Sequence, residues 1–295
     1  MQDRETARAR GWDLVALERT CRRLRSAAAA GSVPWLHEEA ARRMAERLTL
    51  VKLQPESVLD WSGALGGSAS LLTDAYAQAQ HIRLLAPGEA PAAPGRRWWP
   101  FGRPRVATLA STDLPPECAG LVWSNMQLHG DPDPLALMRQ WHGALQVGGF
   151  LMFSTLGPGS LPELRELYRR QGWGEPMAPL VDMHDLGDQL VEAGFADPVM
   201  DQETLTLSWS DAAGLLSELR GLGGNVAAGR VPGLRTPRWR EALQASLVMP
   251  NAERPSLRFE LVFGHAFKVA PKVRVQARTE VSLADMRRMV QRPQR

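Results

Sequence analysis

"VLDWSGALGG", residues 58–67, joins the end of an apolar segment to a turn that contains glycine. Val58 and Leu59 run directly into Asp60, and the glycines follow within a few residues. In open α/β proteins, a buried strand that ends in such a turn holds a ligand at the carboxyl edge of the sheet. The stretch therefore predicts the first strand of a parallel sheet, followed by a binding loop.

Outward from this stretch, apolar runs and amphipathic segments alternate. Strands are predicted at 57–60, 81–85, 105–109, 119–124 and 148–155, and helices at 68–79, 133–146 and 161–171. This alternation predicts an α/β sheet with crossover helices. Near the end, "SLRFELVFGHAFKV", 256–269, alternates apolar and polar residues, which predicts a last strand that closes the sheet antiparallel.

The segments outside this pattern suggest a domain organisation. Three regions are predicted. A polar extension at 1–33 contains a helix near 13–28, and a domain at 34–268 has a helical substrate side at 211–250. A tail at 269–295 contains a short helix. Five prolines and three glycines in 86–105 predict an insert loop where a crossover helix would be expected. "PWLHEEAARRMAERLTLV", 34–51, predicts a helix whose first turn, with His37 and Glu38, is interpreted as solvated.

Composition excludes several classes of protein. A net charge of +3 over 295 residues is no signature of nucleic-acid binding, although it favours an acidic partner. Cys21 and Cys118 stand apart, so neither a zinc site nor a disulfide framework is predicted, and metal binding is not expected. No apolar run approaches the ~18 residues of a membrane span, and no secretory signal precedes the domain. A cytoplasmic location is expected.

One long segment carries a family resemblance. "LVWSNMQLHGDPDPLALMRQWHGALQVGGFLMFSTLGPGSLPELRELY", 121–168, resembles the class I S-adenosylmethionine-dependent methyltransferases, and among them the malonyl-carrier-protein O-methyltransferases of biotin synthesis. Trp123 to Asn125 match that family's W-S-N, and "STLGPGSLPEL", 154–164, is similar to its next motif. "LRGLGGNVAAGR", 219–230, resembles a third motif of that family.

The resemblance implies a fold, a reaction and a site. The fold is a Rossmann-like, doubly wound, mostly parallel sheet, the cofactor is S-adenosylmethionine, and the substrate is a malonyl thioester on an acidic acyl-carrier protein. The implied cofactor-binding residues are Asp60, Ser62, Gly63, Gly66, Trp123 and Asn125, and the implied substrate-binding residues are Arg220, Asn225 and Arg230. No catalytic residue is assigned, because a carboxylate nucleophile is already ionised and positioning supplies most of the effect.

The cofactor motif departs from the family pattern D-x-G-x-G-x-G. Ser62 and Ala64 replace the first two glycines, and Gly66 alone stays in register. Ala86 and Ala110 stand where acids normally bind the ribose and the adenine. Each lost hydrogen bond to an ionised group costs roughly 1.5–3 kcal/mol. The alternative is therefore a catalytically degenerate protein of the same fold that acts as an assembly or interaction partner.

A second resemblance covers the C-terminal half. "HDLGDQLVEAGF", 184–195, and "LLSELRGLGGN", 215–225, are similar to the complex I assembly factor of methyltransferase fold, which is associated with arginine hydroxylation. That chemistry would need an iron site, and no spacing of His, Asp and Glu supplies one convincingly. Asp182 and His184 instead predict a helix N-terminus.

Two expectations concern the edge of the sheet. The ends of the first and fourth strands should lie side by side, so that Asp60 and Gly66 border a pocket with Trp123 and Asn125. The 86–105 loop, through Trp98 or Trp99, should cover the ribose side of this pocket.

Overall fold

The chain is built around a twisted seven-stranded sheet within the residues that the computed structural model describes, 10–85, 106–247 and 254–270. The strands are β1 Ser57–Asp60, β2 Gln80–Leu85, β3 Val106–Ala110, β4 Ala119–Ser124, β5 Leu145–Leu156, β6 Ala196–Ser208 and β7 Ser256–Phe267. Their order is β3-β2-β1-β4-β5-β7-β6. β1 to β5 run parallel, and β7 is antiparallel to both of its neighbours. The predicted fold class is confirmed.

Helices cover both faces of the sheet. They are α1 Leu14–Ala29, α2 Trp35–Leu48, α3 Ala69–Ala75, α4 Pro134–Ala144, α5 Pro162–Gln171, α6 Met183–Glu192, α7 Ala212–Gly221 and α8 Pro237–Leu247. Aspartates cap four of them by accepting backbone N–H bonds, which satisfies donors that have no partner inside a helix: Asp13, Asp133, Asp182 and Asp211. Of the helices described here, none has the length and apolar content to cross a membrane. The predictions for 86–105 and for a helix in the tail lie outside the described residues, apart from the tail's first two.

Two apolar cores lie on opposite faces of the sheet. One gathers Trp123, Phe150 and Phe259 beneath α2 and α5, and the other gathers Phe153 of β5, Trp141 of α4 and Leu190 of α6. Successive strand residues point to opposite faces, so β4 and β5 contribute to both cores. β4 is buried along its whole length and β5 from Gly149 to Thr155, which fixes the register of the parallel strands and hence the position of their carboxyl ends.

Gly264 in the middle of β7 is required by packing. A Cβ at this position would lie 2.3 Å from Cε1 of Phe153, a fully buried ring. We expect Gly264→Ala to lower the free energy of unfolding by about 1–3 kcal/mol, as overpacked cores do. Gly143→Ala, where no heavy atom lies within 4 Å of the new Cβ, is the control for denaturant unfolding. Equal effects at the two positions would contradict the packing explanation.

Ion pairs fasten α2 to the edge of the sheet. Glu203 on β6 accepts hydrogen bonds from both Arg43 and Arg47, and Arg47 also reaches Asp201. The side chain of Glu203 is only 31% exposed, because the two arginines cover it. These contacts and the apolar core hold α2 beside the carboxyl ends of β1 and β4.

Candidate active site

The ends of β1 and β4 lie side by side, as expected. Asp60 is in register with Trp123, and the N–H of Trp61 donates to the carbonyl of Trp123 at 2.8 Å. The two turns that follow these strands therefore begin next to one another at the carboxyl edge of the sheet. This is where open parallel sheets bind their ligands.

Ser62 connects the two turns through its hydroxyl group. Its Oγ donates to Oδ1 of Asp60 at 3.0 Å and accepts the backbone N–H of Asn125 at 2.9 Å. Burial raises the pKa of the Asp60 carboxyl to about 6, against the smaller opposing effects of the Ser62 hydrogen bond and of Arg83. The serine in place of the first family glycine is thus a structural bridge between β1 and β4.

The turn after Ser62 presses tightly against its neighbours. Gly66 has φ 77° and ψ −178°, a combination that is essentially restricted to glycine. A Cβ there would lie 2.8 Å from Cγ2 of Val33, and one on Gly63 would lie 2.5 Å from Cγ of Arg83. Arg83 also donates from Nε to the carbonyl of Gly63 at 3.0 Å. Both positions therefore require glycine, in contrast to the neighbouring Ala64.

Trp123 and Asn125 are fully engaged inside the protein. The indole Nε1–H of Trp123 donates to Oγ of Ser68 at 3.0 Å. Asn125 donates from Nδ2 to the carbonyl of His37 at 2.9 Å and accepts from Oγ of Ser154 at 2.7 Å. The motif that carries the family resemblance thus joins β4 to α2, α3 and β5 at the edge of the sheet.

A cavity of about 1160 Å³ extends from these turns toward the C-terminal helices. Its wall on the sheet side is formed by the turns after β1 and β4 (Ser62, Ala64, Leu65, Met126, Gln127 and His129), and α1, α5, α7 and α8 complete it. The expectation that Asp60, Gly66, Trp123 and Asn125 border the pocket is corrected. None of the four lines the cavity: Asp60, Trp123 and Asn125 are buried and use their polar groups within the protein, and Gly66 lies against Val33.

The three residues implied on the substrate side have different surroundings. Arg220 and Asn225 line the cavity, whereas Arg230 does not, because it forms an ion pair with Asp13 at the start of α1. The amide of Asn225 bonds to the carbonyl of Glu175 and to the N–H of Ala227, so it stabilises its own turn. Of these three, only Arg220 is exposed and free of ion pairs within the described residues.

His37 and α1 were missed as parts of the site. His37 was interpreted as belonging to a solvated helix start, yet it is only 2% exposed and lines the cavity. α1 contributes Leu17, Thr20 and Leu24 to the cavity wall, although 1–33 was expected to be an extension. The amphipathic pattern of 34–51 places His37 beside Leu36 and near Ala40, which is the one sequence signal that could have indicated its burial.

Comparisons with known proteins identify the family. No family model matches the chain. The malonyl-[acyl-carrier protein] O-methyltransferase of Gallionella capsiferriformans is 38% identical over 248 residues, which are 81% of this chain and 86% of the relative. That of Laribacter hongkongensis is 35% identical over 262 residues, 85% of this chain and 88% of the relative.

A solved structure supports the fold. The YcgJ protein of Bacillus subtilis superimposes with a TM-score of 0.51 and 12% identity, over 79% of this chain and 99% of YcgJ. At this identity the likeness concerns the fold alone, and it agrees with the strand order 3-2-1-4-5-7-6. With relatives above 30% identity over most of the chain, the protein belongs to the malonyl-[acyl-carrier protein] O-methyltransferase family.

Proposed function

We propose that the protein transfers a methyl group from S-adenosylmethionine to the free carboxylate of a malonyl thioester on an acyl-carrier protein, a step of biotin synthesis. The observation that carries this proposal is the cavity, which runs from the turn after β1 to exposed arginines on the helical side. The names of the relatives supply the substrate. A volume of about 1160 Å³ is ample for a cofactor and an acyl arm together.

The described residues fit one half of the cofactor better than the other. The turn after β1 faces the cavity through Ser62, Ala64 and Leu65, and the small side chains of Ser62 and Ala64 leave room for the methionine portion. On the adenosine side, Leu84 and Leu85 at the end of β2 provide apolar surface. Asp113, the nearest acid to the adenine position, is exposed and outside the cavity wall. The cofactor would therefore be held mainly by backbone and apolar contacts.

Positioning is the main contribution expected of the protein. When bound, S-adenosylmethionine supplies a sulfonium methyl, and a carboxylate oxygen forms the new C–O bond as the C–S electrons return to sulfur. No base is needed, so the chain must align the oxygen and exclude water. Met126 and Leu161, both on the cavity wall, have positive φ angles of 53° and 55°. Such backbone strain in non-glycine residues concentrates at functional sites.

Exposed arginines surround the open side of the cavity. Arg23 on α1, Arg220 on α7 and Arg240 on α8 line it and form no ion pair within the described part of the chain. Complementary charge accelerates and orients docking more than it strengthens a complex. An acidic carrier protein would place its acyl arm over this opening.

Charge reversal at this rim is expected to weaken use of the carrier. For Arg220→Glu and Arg240→Glu we expect the KM for the carrier-bound substrate to rise about tenfold at low salt with kcat nearly unchanged, because docking is electrostatic. Arg238→Glu is the matched control, since Arg238 is exposed on α8 but lies outside the cavity wall. A loss of equal size in the control, or one insensitive to salt, would contradict docking at this rim.

Calorimetric titration with S-adenosylhomocysteine tests the cofactor assignment. Saturable heat and a thermal shift are expected, whereas no heat at millimolar ligand would refute it. The second candidate function is that of a degenerate partner protein. Ser62 supports it, because its hydroxyl is hydrogen-bonded to Asp60 and to the N–H of Asn125 and replaces a glycine of the cofactor motif. If S-adenosylhomocysteine does not bind to the wild type but binds to the double variant Ser62→Gly, Ala64→Gly, the protein is a degenerate partner protein and not an enzyme.

A further inference from the structure

Three polar residues form a corner of the cavity wall that has no role in the methyl transfer as proposed so far. It consists of His37 from α2 together with Gln127 and His129 from the turn after β4. Nδ1 of His37 and Oε1 of Gln127 are buried and have no hydrogen-bond partner among the described residues. Buried polar atoms are nearly always paired. Nδ1 of a neutral His37 ring can donate, so it indicates an acceptor on a ligand in the cavity, whereas Oε1 of Gln127 only accepts.

The polar corner lies next to the turn assigned to the methyl donor. Asn125 links the two directly, because its N–H donates to Oγ of Ser62 and its Nδ2 donates to the carbonyl of His37. The first turn of α2 also touches the glycines, since a Cβ on Gly67 would lie 3.8 Å from Cγ of Glu38. The corner and the turn after β1 therefore share Asn125 as a common hydrogen-bonding partner.

The corner offers hydrogen-bond donors without a positive charge. Burial lowers the pKa of His37 to about 4, and burial together with the neighbouring His37 lowers that of His129 to about 3. The N–H of Leu156 donates to Nδ1 of His129 at 3.4 Å, which leaves Nε2 as the donor of the neutral ring. A neutral His37 supplies a further N–H, and Gln127 supplies N–H groups from Nε2 of its amide, not from the unpartnered Oε1.

We infer that His37, Gln127 and His129 bind the free carboxylate of the acyl substrate and so select a malonyl group over an acetyl group. The inference rests on the proposed function for the identity of the substrate. The N–H donors of the corner can orient a carboxylate while leaving it ionised, so that one oxygen stays nucleophilic toward the methyl group. Asn125, which touches both His37 and Ser62, acts as a positioning residue for the corner.

Binding of two pantetheine thioesters by the full chain tests this inference without requiring turnover. We expect the wild type to bind malonyl-pantetheine about 10- to 100-fold more tightly than acetyl-pantetheine in calorimetry, the range for a hydrogen bond to a charged group. His37→Leu and Gln127→Leu should each reduce the preference for malonyl-pantetheine about tenfold. His37→Asn, which keeps an N–H near the position of Nδ1, should retain part of that preference.

Gln140→Leu is the matched control, because Gln140 also lines the cavity but is exposed on α4. Its preference should equal that of the wild type, and thermal melting should show that every variant is folded. An unchanged preference in folded His37→Leu and Gln127→Leu overturns the inference, even if the enzyme methylates its substrate. If the wild type transfers no methyl group but still prefers malonyl-pantetheine, and His37→Leu loses that preference, the inference stands and the proposed function is refuted.

Discussion

Gly66→Ala is expected to reduce methyl transfer by about 100-fold, since displacing bound reactants by about 1 Å can cost that much. The backbone of Gly66 adopts φ 77° and ψ −178°, where an alanine is strained by about 1–3 kcal/mol. The new Cβ would also lie 2.8 Å from Val33. The turn must therefore move, and with it the cavity wall at Ala64 and Leu65. Steady-state kinetics and affinity for S-adenosylhomocysteine measure the effect.

Gly31→Ala separates strain in the turn from strain elsewhere. Gly31 also has a positive φ, 82°, but nothing lies within 4 Å of the Cβ that alanine would add. This control is expected to lose some stability and to keep its affinity for the cofactor. If Gly66→Ala binds S-adenosylhomocysteine as tightly as the wild type does, the turn after β1 does not hold the cofactor.

Asp60→Asn is expected to change how stability depends on pH. The pKa of Asp60 rises from 3.8 to about 6 on folding, so the folded protein binds this proton more tightly than the unfolded chain does. The stability that Asp60 contributes is present below pH 3.8 and is lost as the pH rises through about 6. Because asparagine does not ionise, the variant should gain about 3 kcal/mol relative to the wild type between about pH 4 and about pH 8.

Denaturant unfolding across this pH range provides the measurement. Ser62→Ala serves as the comparison, because it removes the hydrogen bond that lowers the pKa of Asp60 and should extend the loss of stability to higher pH than in the wild type. A difference between Asp60→Asn and the wild type that stays constant with pH would contradict a buried, ionisable Asp60.

The fold could be predicted because local patterns specify it. β1 and β4 begin and end where predicted, since each is a short apolar run bounded by polar residues or turns. The alternation in 256–269 indicated an antiparallel β7, because one face of that strand had to be buried. α3 is shorter than the predicted helix 68–79, since Tyr76 leaves the helical conformation with φ −133° and ψ 58°.

The site was less predictable because its contacts join residues that are distant in sequence. Ser62 resembles a lost glycine until the N–H of Asn125, 63 residues away, is found bonded to its hydroxyl. The burial of His37 depends on α2 packing against β4, where Nδ2 of Asn125 donates to the carbonyl of His37, 88 residues away in sequence. Arg230 matched a family motif, but Asp13 on the N-terminal side engages it. Such pairings arise only from the tertiary fold.

The most direct test supplies S-adenosylmethionine and malonyl-loaded acyl-carrier protein to the purified full-length chain and follows the acyl group by mass spectrometry. We expect the malonyl group to gain one methyl as an ester, and the acetyl-loaded carrier, which lacks the free carboxylate, to remain unchanged. If the malonyl carrier stays unmodified at saturating cofactor while a family relative methylates it under the same conditions, the assignment as a working carboxyl methyltransferase is contradicted.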